Sequence, residues 1–209
     1  MPAVEKTRQN IWPASALVDE DESAEAADRA GPQGLHALAQ RAVAGDRGAL
    51  QELFRALFPL VHKHLSFVLG FSPLVEDAVQ ESMLGIHRAL PGFRGEASIA
   101  TWALAIASRT AVRHARRERR HQVEELDRAI GESIYGHDSA AGGGELVLMI
   151  KALGSLTLKK RLAFVLFAIL DCSATEAGEV LGTSPNTAAS RYRHARQELL
   201  AQLERDAAH

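Results

Sequence analysis

Between Val75 and Leu90 the apolar residues Val75, Val79, Met83, Ile86 and Leu90 follow one another at steps of four, four, three and four. That is the repeat of one face of an α-helix, and a strand would scatter such a set over both of its sides. A second stripe, Leu50, Leu53, Phe54, Leu57, Val61, Leu65 and Val68, keeps helical spacing up to Gly70. Long amphipathic helices in succession predict an all-α protein. Aromatic residues are only 5% of the 209 residues while 46% are apolar, so the core must rest on Leu, Val, Ala and Ile. No segment reads as a strand and no internal repeat is present.

Boundary signals divide the chain. A short helix is expected from Leu35 to Ala44, stopped by Gly45, with Asp46 capping the next one. Pro59 is expected to bend or interrupt that second helix. Ser72 and Pro73 start the helix carrying the Val75–Leu90 stripe, and Pro91 and Gly92 end it. FRGEAS is then a loop, and Ser98 caps the helix containing TWALAIASRTAVRHARRERR. Four short helices are expected near the C-terminus: Glu145–Leu153, Thr157–Leu170, one opened by the capping box SATE and ended by Gly182, and one from Ser184 and Pro185 to about Leu203.

Four segments result. Residues 1–34 read as an acidic, disordered extension, with Ile11 and Trp12 an isolated apolar pair. Residues 35–120 form one helical domain. Residues 121–145, ending in AAGGGE, form a flexible linker. Residues 146–205 form a second helical domain.

Several function classes are excluded. Cys172 is the only cysteine, so the chain can form neither an internal disulfide nor a thiolate zinc site. No run approaches the roughly 18 apolar residues of a membrane span. The N-terminus lacks the basic start and apolar core of a secretory signal, so the cytoplasm is the expected compartment. His62 and His64 are two apart and point to different sides of a helix, so they are not a metal pair. The histidines are expected at the surface. No phosphate-cradling loop or nucleophile motif appears. An enzyme is not expected, nor any metal or cofactor.

The net charge of −2 conceals an asymmetry. Glu5, Asp19, Glu20, Asp21, Glu22, Glu25 and Asp28 make the first 34 residues acidic. Arg109, Arg113, Arg116, Arg117, Arg119 and Arg120 crowd one helical end, with Glu118 the one acid among them. The helix dipole favours one or two cations there. It gives no reason for six, which repel one another, whereas a polyanion does.

The second domain ends in a capped helix, a tight turn at Gly182 and Thr183, and a second capped helix: the helix-turn-helix pattern. Ala188, Tyr192, Ala195 and Leu199 form the buried stripe of the last helix. Asn186, Ser190, Arg191, Arg193, His194 and Arg196 lie off that stripe, where short polar groups reach base edges and arginines neutralise phosphates. Asp77, Gln80 and Glu81 lie off the Val75–Leu90 stripe. They make either a solvated acidic face or a docking surface for a basic partner, and composition alone does not choose.

The stretches LVEDAVQESMLGIHRAL and FRGEASIATWALAIASR, the arginine run, and a helix-turn-helix ending in SRYRHARQELL together resemble bacterial RNA polymerase sigma factors. The similarity is to the small extracytoplasmic-function (ECF) group, over roughly residues 36–120 and 147–203. It implies an alternative sigma factor that binds core RNA polymerase, directs it to promoters and helps melt the minus-ten region. It also implies roles for residues. Asp77, Gln80 and Glu81 match positions that dock on the clamp helices of the largest polymerase subunit. Phe93, Arg94, Gly95, Glu96, Ala97 and Ser98 match the loop that holds a flipped-out minus-ten base. Trp102, Arg109, Arg113, Arg116 and Arg117 match the helix along the melted strand and adjacent duplex, although Trp102 also falls on a core stripe. Pro185, Asn186, Thr187, Ser190, Arg191, Arg193, His194 and Arg196 match the minus-thirty-five reader, whose domain also meets the polymerase flap. Members of the group are often restrained by an anti-sigma protein covering both domains, and the linker permits such wrapping. Gly178 inside a helix, and Ala188 and Ala189 in the recognition helix, depart from the group's pattern and predict a less rigid second domain. The competing reading is a helix-turn-helix regulator that binds DNA without polymerase. The acidic 77–81 face separates the two, because a free regulator has no use for it.

Overall fold

A computed structural model of the chain describes residues 23–70, 74–129 and 144–207. Among them are eight α-helices and no strand: α1 (Ser23–Val43), α2 (Arg47–Leu69), α3 (Leu74–Ala89), α4 (Ile99–Ala129), α5 (Gly144–Ser155), α6 (Leu158–Phe164), α7 (Ala174–Leu181) and α8 (Pro185–Ala207). The expected all-α architecture is what the chain adopts.

Local chemistry sets most boundaries as read. The Asp46 carboxylate accepts from the Ala49 amide at 3.0 Å to open α2, and this bond, with help from Arg41, holds its pKa below the usual value. Ser98 accepts from the Thr101 amide at 3.0 Å in the first turn of α4. Ser173 and Glu176 form a reciprocal capping box on α7, which ends at Gly182 in the left-handed conformation.

Other boundaries differ from expectation. Helix α1 begins at Ser23, inside the stretch expected to be disordered, because the alanine-rich SAEAADRA favours helix despite its polarity. Helix α4 continues through HQVEELDRA to Ala129, well into the expected linker, since no Gly or Pro stops it. Helix α2 runs through Pro59 without interruption. The single helix expected over Thr157–Leu170 instead passes from α6 into a wider π-turn at Val165–Ile169, closed by Leu170 N–H to Val165 C=O at 3.0 Å. Ile11 and Trp12, the Ser72–Pro73 start signal and the AAGG stretch lie outside the described residues.

Helices α1–α4 pack around Leu53, Leu57, Leu65, Ile86 and Ile99, each at most 1% exposed. His64 is buried among them, contrary to the expectation that histidines sit at the surface. Its Nε2 is hydrogen bonded to Ser108 Oγ at 2.9 Å, tying α2 to α4. Burial lowers its pKa from 6.5 to about 4, so the ring is neutral at physiological pH.

Helices α5–α8 form the second unit around Leu153, Leu166, Val180, Ala188 and Ala195. The buried stripe expected on α8 is present, with Ala188 and Ala195 fully buried and Tyr192 and Leu199 half-buried. Tyr192 stacks on Phe167 at 4.9 Å between ring centroids. The glycine within α7 has a steric reason: a Cβ on Gly178 would lie 3.0 Å from the Thr183 carbonyl oxygen and 3.1 Å from the Pro185 nitrogen. The turn therefore passes tightly against α7, which opposes the loose second unit that this glycine predicts from propensity alone.

Candidate functional site

The residues singled out by sequence fall on three surfaces. The first is the outer face of α3. Asp77 and Gln80 are exposed there, and Asp77 in the first turn is favoured by the helix dipole. Glu81 is engaged within the protein: Oε1 accepts from Arg113 Nη2 at 2.7 Å, and Oε2 is bonded to His114 Nε2 at 2.7 Å. The hydrogen bonds from His114 and then Arg113 lower the Glu81 pKa. Arg113 also donates to Thr110 Oγ1 at 2.9 Å. Glu81 thus braces α3 against α4. Sequence reasoning missed His114 and Thr110, although Thr110 lies three residues before Arg113, a helical neighbour position.

The second surface runs from the 93–98 loop along α4. The loop is short and pinned at both ends, by Phe93 N–H to Leu90 C=O at 2.9 Å and by the Ser98 cap. Phe93 packs on Trp102, with ring centroids 5.4 Å apart, and meets His36 of α1 edge-on at 6.1 Å. Gly95 has φ +75°, and a Cβ there would come within 2.9 Å of the His36 ring. The aromatic pair forms a half-buried floor, while Arg94, Gly95, Glu96 and Ser98 stand exposed above it. Trp102 thereby serves the fold and still shows part of its ring beside the loop. His36 was not among the expected site residues.

Along α4 the first half is packed, with Ala103, Leu104, Ala107 and Ala111 buried, and the second half is open. Arg109, Arg116, Arg117 and Arg120 are exposed. At about 1.5 Å per residue the exposed stretch from Arg109 to Arg120 spans roughly 16 Å, enough for several phosphates.

The third surface is the start of α8. Pro185 and Asn186 are exposed, and Thr187 is half-buried with its amide donating to Ser184 Oγ at 3.2 Å. Arg193 and His194 are exposed, whereas Ser190 and Arg191 are half-covered. Arg196 lines an apolar groove with Met149, Leu153, Phe164, Leu199, Leu200 and Leu203, so its aliphatic stem serves packing as well. Among the described residues no three His, Cys, Asp or Glu side chains cluster in a way that could hold a metal ion. None of their helices is long and apolar enough to cross a membrane.

The family Sigma-70 region 2 matches residues 53–121, and Sigma-70, region 4 matches residues 146–199. The ECF RNA polymerase sigma factor SigC of Mycobacterium tuberculosis is 30% identical over 174 residues, covering 83% of this chain and 94% of that one. The ECF RNA polymerase sigma factor SigM of the same species is 29% identical over 158 residues, covering 75% and 78%. Among solved structures, CnrH in complex with the cytosolic domain of CnrY superposes with a TM-score of 0.62 at 25% identity, over 81% of this chain and 96% of that one. The sigma factor RpoE of Bartonella quintana, solved with the anti-sigma factor NepR, superposes with a TM-score of 0.60 at 22% identity, over 74% and 96%.

Proposed function

Because this chain belongs to the extracytoplasmic-function sigma factors, we propose specific roles for its three surfaces in promoter recognition and opening. As an alternative sigma factor it binds core RNA polymerase, directs it to promoters and is not an enzyme. Asp77 and Gln80 dock on the clamp helices of the largest subunit, and Glu81 holds α3 in place for that contact. The 93–98 loop, floored by Phe93 and Trp102, receives a base flipped out of the minus-ten element. Unstacking that base costs a few kcal/mol, which contacts in the loop offset. Arg109, Arg116 and Arg117 follow the phosphates beside the opened strand. Pro185, Asn186, Thr187, Ser190 and the arginines of α8 read the minus-thirty-five element as duplex. The protein works in the cytoplasm, where its polymerase is.

The observation that carries this reading is α4 itself. One continuous helix is packed through its first half and presents the exposed Arg109, Arg116, Arg117 and Arg120 beyond it, directly after a pinned loop with an aromatic floor. A polymerase-independent regulator would need neither that loop nor the exposed Asp77–Gln80 face.

The test is run-off transcription with purified core polymerase on pooled genomic fragments. Discrete new transcripts that depend on this protein are the expected result, and their start sites supply the promoter. Replacing Asp77 by Lys and Gln80 by Ala should reduce polymerase affinity at least tenfold while far-UV circular dichroism stays unchanged. Undiminished affinity in that folded variant would remove the docking assignment.

A further inference from the structure

Helix α1 touches the 93–98 loop through His36. Its ring meets Phe93 edge-on at 6.1 Å between centroids, and a Cβ on residue 95 would lie only 2.9 Å from its Cε1. The half-buried ring is therefore wedged between the aromatic floor and the loop backbone, and glycine at 95 is what lets the loop come so close. One helical turn further on, Gln40 is exposed, and its amide nitrogen lies 3.1 Å from His36 Nε2. An amide nitrogen only donates, so Nε2 is the acceptor and the ring proton sits on Nδ1. This bond sets the Gln40 amide: the nitrogen is committed to the histidine, and Oε1 remains as an acceptor for another group. Both residues precede the segment that Sigma-70 region 2 matches, residues 53–121.

An i, i+4 pair on a helix surface stabilises the helix only slightly. Its place beside the loop gives this pair a further use. A base held outside its stack is told from the others by hydrogen bonds to its Watson–Crick edge. At one place on that edge adenine and cytosine carry an amino group, N6 or N4, whereas guanine and thymine carry a carbonyl oxygen, O6 or O4. A fixed acceptor bonds the first two and rejects the second two, because a carbonyl facing Oε1 leaves both oxygens unpaired. A glutamine free to turn its amide over would not discriminate, since it presents either N–H or C=O. The wedged histidine is what prevents that turn.

We propose that Gln40 reads the base received by the 93–98 loop and selects adenine or cytosine, and that His36 is the positioning residue that holds its amide in the selective orientation. The inference rests on the flipped-base reading of the loop and adds to it a wall supplied by α1.

The test uses holoenzyme reconstituted from core polymerase and the full chain. Fork-junction fragments of the promoter mapped by run-off transcription carry each of the four bases in turn at every minus-ten position, and competition gives their relative affinities. At one position the unaltered protein should favour adenine and cytosine over guanine and thymine by about tenfold. Gln40→Ala should abolish that preference. His36→Ala should abolish it with Gln40 still present, and His36→Gln, whose amide oxygen can accept from Gln40, should restore it. A merely structural role would weaken binding to all four bases alike. That result would overturn the proposal, as would a preference that survives Gln40→Ala. If a His36 variant loses helical circular dichroism or polymerase affinity, the exposed Gln40 position decides alone. The loop reading fails separately. An unaltered protein that discriminates at no minus-ten position removes both, whereas a preference abolished by Gly95→Ala but untouched by Gln40→Ala removes only the part played by α1.

Discussion

In the first unit the core is made of bulk: Leu53, Leu57, Leu65, Ile86 and Ile99 fill the space between four helices. In the helix-turn-helix the fully buried positions are small, Ala177, Ala188 and Ala195, and Gly178 lets the turn approach to a distance a side chain would obstruct. Both are helical, yet they keep their shape by opposite means. One depends on side-chain volume, the other on close backbone approach. The first should therefore suffer from losing atoms and the second from gaining them.

The largest effect expected from this contrast is at Leu57, which has no exposure. Leu57→Ala should cost about 2–5 kcal/mol in urea denaturation, as for other buried leucines that leave a cavity. The next is carried by pH. With His64 held near 4 in the fold against 6.5 when unfolded, the unfolded chain binds the proton first as pH falls. Stability is full above about 6.5 and declines toward 4, by about 2 kcal/mol at pH 5. His64→Gln, which preserves a partner for Ser108, should remove that part of the difference between pH 7 and pH 5. An unchanged difference would mean that the ring is protonated inside the fold.

Gly178→Ala is the converse of the leucine truncation. Helix propensity alone predicts a gain of about 1 kcal/mol. The Thr183 and Pro185 backbone atoms around the new methyl predict a net loss of about 1–2 kcal/mol instead. A rise in melting temperature would show that the turn yields and would erase the proposed distinction between the units. The smallest effect belongs to Glu81→Gln. The Arg113–Glu81 ion pair is largely solvated, so stability should change by less than about 1 kcal/mol. Released from Glu81, Arg113 should nevertheless steepen the salt dependence of DNA binding.

Periodicity and caps made most of this legible in advance. The stripes of α2 and α3, the Asp46 and Ser98 caps and the capping box of α7 are local, and each involves residues within a few positions of one another. What escaped was long-range. Nothing near His64 announces Ser108, nothing near Glu81 announces His114, and nothing in VLFAI announces a π-turn that places Leu166 in one cluster with another unit's Leu104. Composition misread α1 because it weighed polarity above alanine content. Propensity treated Gly178 as a weakness when the neighbouring backbone requires it.

The site was legible in the same uneven way. The loop and the arginines could be named from their order along the chain. That Phe93 and Trp102 share a floor with His36, and that Arg113 is engaged with Glu81, required the helices to be in place.

The contact between Gly95 and His36 reaches into heredity. A side chain at position 95 would meet both an unfavourable φ and an imidazole from a helix some sixty residues earlier in the chain. Positions 36 and 95 are therefore not free to drift separately. Where a descendant lineage admits a larger residue into the loop, a smaller one should be found on α1, and promoter preference should have shifted with the pair.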